Sequence, residues 1–155
     1  MTDLTYNIET GILSGRIGGH PIRASAGSGG RAGSKVAGAV NPLLANNALA
    51  TRIGGPGSRV FGPLPQGIYR LRLHEHKQNW IRLIPAAGTE MFDRNGFAIH
   101  GRGQVGSHGC IVPWDFQVML RLCKLLKENE AAHRPDVTLK VFAQGTEIGK
   151  QLYTA

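Results

Sequence analysis

The segment from Phe97 to Ile111 concentrates the reactive side chains of this chain: a thiol at Cys110, imidazoles at His100 and His108, a hydroxyl at Ser107, and glycines at 101, 103, 106 and 109. A cysteine attacks carbon as its thiolate, so it needs a base or a positive setting beside it, and histidine supplies that base at neutral pH. A loop folding back between Ile99 and Cys110 brings His100 to the sulfur. Gly109 permits close backbone approach, and the amides from Ser107 to Cys110 are suited to an oxyanion hole for acyl transfer. The same residue types admit a metal site, with His100, His108 and Cys110 as ligands and His74 or His76 as a fourth. Against a metal, no acidic ligand or second cysteine stands at metal-site spacing, and the His-Glu-x-x-His pattern is incomplete at His74-Glu75-His76. The expectation is therefore nucleophilic catalysis without metal or cofactor, beside the plainer reading of a structurally satisfied Cys and His pair.

Strands must present these groups. Leu4, Tyr6 and Ile8 alternate ahead of a turn at Glu9-Thr10-Gly11, and Ile12 to Ile17 completes a hairpin. Ala24 to Gly38 is a run of small residues that reads as a flexible Gly-rich loop; it fails as a phosphate-binding P-loop because Ser34 precedes Lys35 and Val36 follows. Asn41 to Arg52 allows a short helix or an irregular segment. Turn chemistry at Gly62 to Gly67 leads into an alternating strand, Ile68 to Leu73, followed by another at Asn79 to Ile84. Phe97-Ala98-Ile99 is a strand that delivers His100 to its end. From Asp115, a plausible N-cap, Phe116, Met119, Leu120, Cys123 and Leu126 recur at helical spacing on one face, and the helix stops before Pro135. Val137 to Phe142 is a last strand, and the tail from Gly145 is undecided between a turn of helix and a frayed end. Cys123 is read as core. Trp80 and Trp114 either line a cleft or cap the core, and Arg70, Arg72 and Arg82 either meet substrate carboxylates or form a solvated basic face.

The chain has 155 residues, enough for one domain over 1–155, and its 22 glycines favour a loop-rich, mainly β (β-rich α+β) fold. Two cysteines are too few for a disulfide framework. The formal charge of +8 attracts anionic polymers, whether nucleic acid, lipid or bacterial wall. A non-catalytic basic module that holds wall polymer or nucleic acid is the second function class. The sparse aromatics and the mixed-charge helix do not read as a nucleic-acid surface. No apolar run approaches the roughly 20 residues of a membrane span, so no membrane insertion is expected. The opening Met1-Thr2-Asp3-Leu4-Thr5-Tyr6 has neither the basic nor the apolar part of a secretory signal, so synthesis in the cytoplasm without that route is the expectation.

Ile99-His100-Gly101 followed by Ser107-His108-Gly109-Cys110-Ile111 resembles the His-Gly and Ser-His-Gly-Cys signature of the YkuD-type L,D-transpeptidases. Gly62-Pro63-Leu64-Pro65-Gln66-Gly67-Ile68-Tyr69 is similar to the Gly-Pro-x-Pro-x-Gly-x-Tyr stretch of that family. With Tyr6 to Leu13, Arg82 to Pro85 and Met91 to Phe97, the chain looks like the small L,D-transpeptidase-like effectors of type VI secretion, over roughly residues 5 to 115. It departs from many members in having Val112-Pro113 after Ile111 and a shorter interval from His100 to Cys110. The resemblance implies a compact catalytic-domain sheet or barrel with one main helix after the cysteine. It implies that Cys110 attacks the carbonyl before the terminal D-Ala of a peptidoglycan tetrapeptide stem, that His100 is the base, and that the Gly101 carbonyl orients it. Ser107, His108 and Gly109 then shape the pocket and the oxyanion hole. Transfer of the acyl group to water, to a D-amino acid or to another stem would give carboxypeptidase, exchange or cross-linking activity. It further implies an antibacterial toxin injected into the periplasm of a target bacterium, with secretion components and a cognate immunity protein as partners. A housekeeping or phage-derived wall enzyme is the alternative setting.

Overall fold

Alternating burial defines the strands. In β1 (Leu4–Asn7) Leu4 and Tyr6 point inward, and in β2 (Ile12–Ile17) Leu13 and Ile17 do. β3 (His20–Ser28) continues the meander, and in β4 (Gly67–Leu73) Tyr69 and Leu71 are buried while Ile68, Arg70 and Arg72 face solvent. β5 (Trp80–Pro85), β6 (Ala98–His100), β7 (Ile111–Pro113), one helix α1 (Phe116–Ala131) and β8 (Thr138–Phe142) complete the elements. This computed structural model describes residues 2–28, 63–91, 95–101 and 110–143. The protein is mainly β, with a single helix among the described residues.

The eight strands close into a barrel in the order β1-β2-β3-β7-β6-β5-β4-β8. Closure comes from β8, which pairs parallel with β1 and antiparallel with β4. Asp3 secures that seam: its Oδ2 accepts from the Thr138 backbone N–H at 2.9 Å and from the Thr138 hydroxyl at 3.1 Å. Inward residues of every strand merge into one core with Met119, Leu122, Cys123, Leu125 and Leu126 of α1. The helix touches β2, β4 and β7, strands well apart around the ring, and so lies across an end of the barrel. Asp115 caps it by accepting from the Gln117 N–H at 2.9 Å. Among the described residues no helix is long and apolar enough to cross a membrane.

The hairpin, the strands at 68–73 and 79–84, the helix and the last strand stand where the sequence puts them, to within a residue or two. Two expectations are corrected. Ala24 to Ser28 belongs to β3 and is not loop: Ala24 and Ser25 pair with β2, Ala26 to Ser28 pair with β7, and Gly27 leaves room for the Trp114 ring, which a Cβ there would strike. Residues 29–38 of that loop, the segment 41–52 and the tail from 145 lie outside the described residues. The buried face of α1 is also rotated from the expected one, toward Leu122 and Leu125, leaving Phe116 43% and Leu120 38% exposed.

Candidate active site

β6 and β7 run parallel, in a register that sets Ile99 opposite Ile111. Both isoleucines are fully buried in the core, so their strand neighbours Ala98, His100 and Val112 take the outer face, while Cys110 stands directly before β7 and packs against the margin of the core. Cys110 directly precedes the paired Ile111, and His100 directly follows the paired Ile99. An extended continuation of β7 by one residue would put the Cys110 and His100 Cα atoms roughly 8 Å apart, a separation that a cysteine and a histidine side chain can span. Neither Cys110 nor Cys123 is in a disulfide. Cys110 is half-buried at the margin of the core, whereas Cys123 is buried within it, where loss of hydration pushes its thiol pKa up and keeps it protonated.

His100 is held at two points. Its Nδ1 lies 2.9 Å from the Gly101 carbonyl oxygen, which can only accept, so Nδ1 carries the proton and Nε2 keeps its lone pair. Its ring stacks on Trp80, the residue opposite it on β5, with centroids 4.3 Å apart and planes within 8°. Burial lowers the imidazole pKa; the Gly101 contact works in the other direction, and the nearby Lys77 charge lowers it further. The net result is an imidazole kept neutral, as a base for a thiol requires.

The outer face around His100 is partly covered. Ala98 and Val112 are buried, at 1% and 2% exposure, although neither belongs to the barrel core. Glycines admit two aromatic rings to this face: Trp114 lies over Gly27, and Phe116 over Gly101, where a Cβ would stand 2.7 Å from the ring. Both rings are themselves 43% exposed, so the half-buried imidazole stands beside aromatic surface that remains open to solvent.

Of the residues singled out in the sequence, His100 and Gly101 stand at the end of β6 and are joined by a hydrogen bond, Cys110 directly precedes β7, and Ser107, His108 and Gly109 lie outside the described residues. Of the alternative metal ligands, His74 has its Nδ1 engaged by the backbone N–H groups of His76 and Lys77, at 3.0 and 2.9 Å. Among the described residues no three His, Cys, Asp or Glu side chains gather as a metal site would require. Arg70 and Arg72 pair with Asp136, at 3.2 and 3.6 Å, and Arg82 with Glu75 at 2.8 Å, so these strand arginines sit in exposed ion pairs. Sequence reasoning missed Trp80 as the partner of His100 and Phe116 as the neighbour of Gly101. The available signal was the position of Trp80 at the start of an alternating strand, on its outward phase.

No protein-family model, curated protein or solved structure matches the chain. The functional reading therefore rests on the motif and on this geometry.

Proposed function

We propose that the protein is a cysteine acyltransferase acting on bacterial peptidoglycan tetrapeptide stems, as an L,D-carboxypeptidase or a D-amino acid exchange enzyme. The observation that supports the reading is the pairing of β6 with β7 through Ile99 and Ile111, from which His100 and Cys110 are each one residue removed, with the Gly101 carbonyl fixing the imidazole tautomer. His100 Nε2 takes the Cys110 proton, and the thiolate adds to the carbonyl that precedes the terminal D-Ala. The tetrahedral intermediate collapses, His100 returns the proton to the departing amine, and a thioester remains on Cys110. Water or the amine of a free D-amino acid, deprotonated by His100, then attacks the thioester and releases the stem. The sequence resemblance supplies the substrate. It also supplies the setting, an antibacterial toxin injected by type VI secretion into the periplasm of a target cell, where loss of tetrapeptide donors weakens the wall.

The test is intact-protein mass spectrometry with purified disaccharide tetrapeptide, with and without D-Met, alongside muropeptide analysis. Release of D-Ala to give tripeptide, or a stem ending in D-Met, is expected from the wild type and absent from Cys110→Ala. Unchanged tetrapeptide and pentapeptide across all conditions would overturn the assignment.

A further inference from the structure

Next to Trp80, which stacks on His100, the turn between β4 and β5 and the middle of α1 line an open pocket of about 370 Å³. Its lining includes His74, Lys77, Asn79 and Trp80 from the turn, and Cys123 and Lys127 from the helix. Lys127 follows Cys123 by one helical turn, so both residues present the same side of α1 to the turn. The charges in the pocket are uneven. Glu75 also lines it but is committed to Arg82, accepting from its Nε at 3.0 Å and from its guanidinium at 2.8 Å. Burial and the Arg82 charge lower the His74 pKa, and its Nδ1 lone pair already accepts two backbone N–H groups. Two lysines, Lys77 and Lys127, thus line the cavity with the neighbouring acid already paired.

The pocket is joined to the reactive centre by one side chain. Trp80 lines it, carries the Lys77 Nζ 4.3 Å from its ring centroid, and stacks on His100 at 4.3 Å. A ligand seated against Lys77 is separated from the imidazole by the thickness of one indole. That separation is too long for the carboxylate of the leaving residue, which is only a few bonds from the reacting carbonyl. It suits a carboxylate on a side chain or on a neighbouring residue of the same peptide.

We propose that this pocket is a subsite for a carboxylate of the peptide substrate other than that of the leaving group, with Lys77 and Lys127 as its cationic contacts and Trp80 as the wall it shares with His100. The proposal rests on the preceding functional reading only in calling the ligand the substrate. A carboxylate bound there offsets the Lys77 charge beside His100, so filling the subsite and readying the base are linked.

The experiment is a calorimetric and NMR binding series on the Cys110→Ala protein, which binds without turnover. The probes are disaccharide tetrapeptide, the same compound with its side-chain and internal carboxylates amidated, and glutarate as a plain dicarboxylate. Amidation is expected to weaken binding about tenfold, and Lys77→Gln and Lys127→Gln to weaken the unmodified compound about fivefold each, the scale of one exposed ion pair. Lys124→Gln, which leaves the pocket lining untouched, is the control and is expected to bind as the parent does. Equal binding of the free and amidated compounds, or no effect of either lysine change, overturns the subsite. If tetrapeptide fails to bind but glutarate shifts the resonances of 73–80 in a manner dependent on both lysines, the pocket stands and the peptidoglycan reading falls. If neither probe binds, both fall.

Discussion

Replacing Gly101 by alanine tests whether the orientation of His100 matters. A Cβ at this position would stand 2.7 and 2.8 Å from the Phe116 Cδ2 and Cε2 atoms. Carbon atoms rest comfortably at about 3.5–4.0 Å, so roughly 1 Å of overlap has to be relieved. Phe116 begins α1 directly after the Asp115 cap, which limits the swing of its ring; the strain falls largely on the backbone of Gly101. That backbone carries the carbonyl 2.9 Å from His100 Nδ1, and a shift of that size breaks the hydrogen bond and frees the imidazole. Overpacking is expected to cost about 1–3 kcal/mol in urea unfolding, and misplacing the base by about 1 Å to lower kcat/KM on the order of 10- to 100-fold. Phe116→Ala alone, at an exposed ring, should lose much less. The double variant should recover most of the activity, with a coupling of about 1–3 kcal/mol. The assay is D-Ala release from disaccharide tetrapeptide, with urea melts, for all four proteins. A fully active Gly101→Ala, or a double variant no better than Gly101→Ala, would refute the reasoning.

Cys110→Ala should abolish turnover and keep the melting temperature, whereas Cys123→Ala should keep turnover and lower stability by about 1–2 kcal/mol for a small buried side chain; similar activity in the two variants would misassign the nucleophile. Because His100 acts in its neutral form and its pKa is lowered, the acid limb of kcat/KM should lie below the ordinary histidine value of 6.5. Lys77→Gln removes a charge that disfavours the imidazolium, so that limb should move to higher pH, and an unmoved limb counts against the geometry. Met119→Ala, at a side chain with 0% exposure, should cost about 2–5 kcal/mol in chemical denaturation with only an indirect effect on catalysis.

What the sequence made legible is what local pattern encodes. Tyr69 and Leu71 alternate with Arg70 and Arg72, and Asp115 precedes a helical run, so these elements could be read before any pairing was known. β7 could not: three residues shortly before a helix become a strand only because β3 and β6 flank them. The small residues Ala26 to Ser28 misled for the same reason, their strand partners lying far away in sequence. At the site, His100 and Cys110 were marked by residue type. The stack of His100 on Trp80 depends on the register of β5 against β6, which no local signal sets. The face of α1 turned inward depends likewise on where the barrel end lies, which is why Leu122 replaces Phe116 in the core.

The seam between β1 and β8 also governs how the protein comes to exist. The β1–β2–β3 meander and the β4–β5 hairpin pair near neighbours and can form early, but Asp3 meets Thr138 across 135 residues of chain. The barrel therefore stays open on the ribosome until β8 has emerged. β8 occupies the slot between β1 and β4, so before it arrives two strands expose unpaired edges at once. The interval between synthesis of β4 and arrival of β8 is the period in which a nascent chain is most prone to associate with others through those edges, and a chain cut short of Thr138 would keep both edges open permanently.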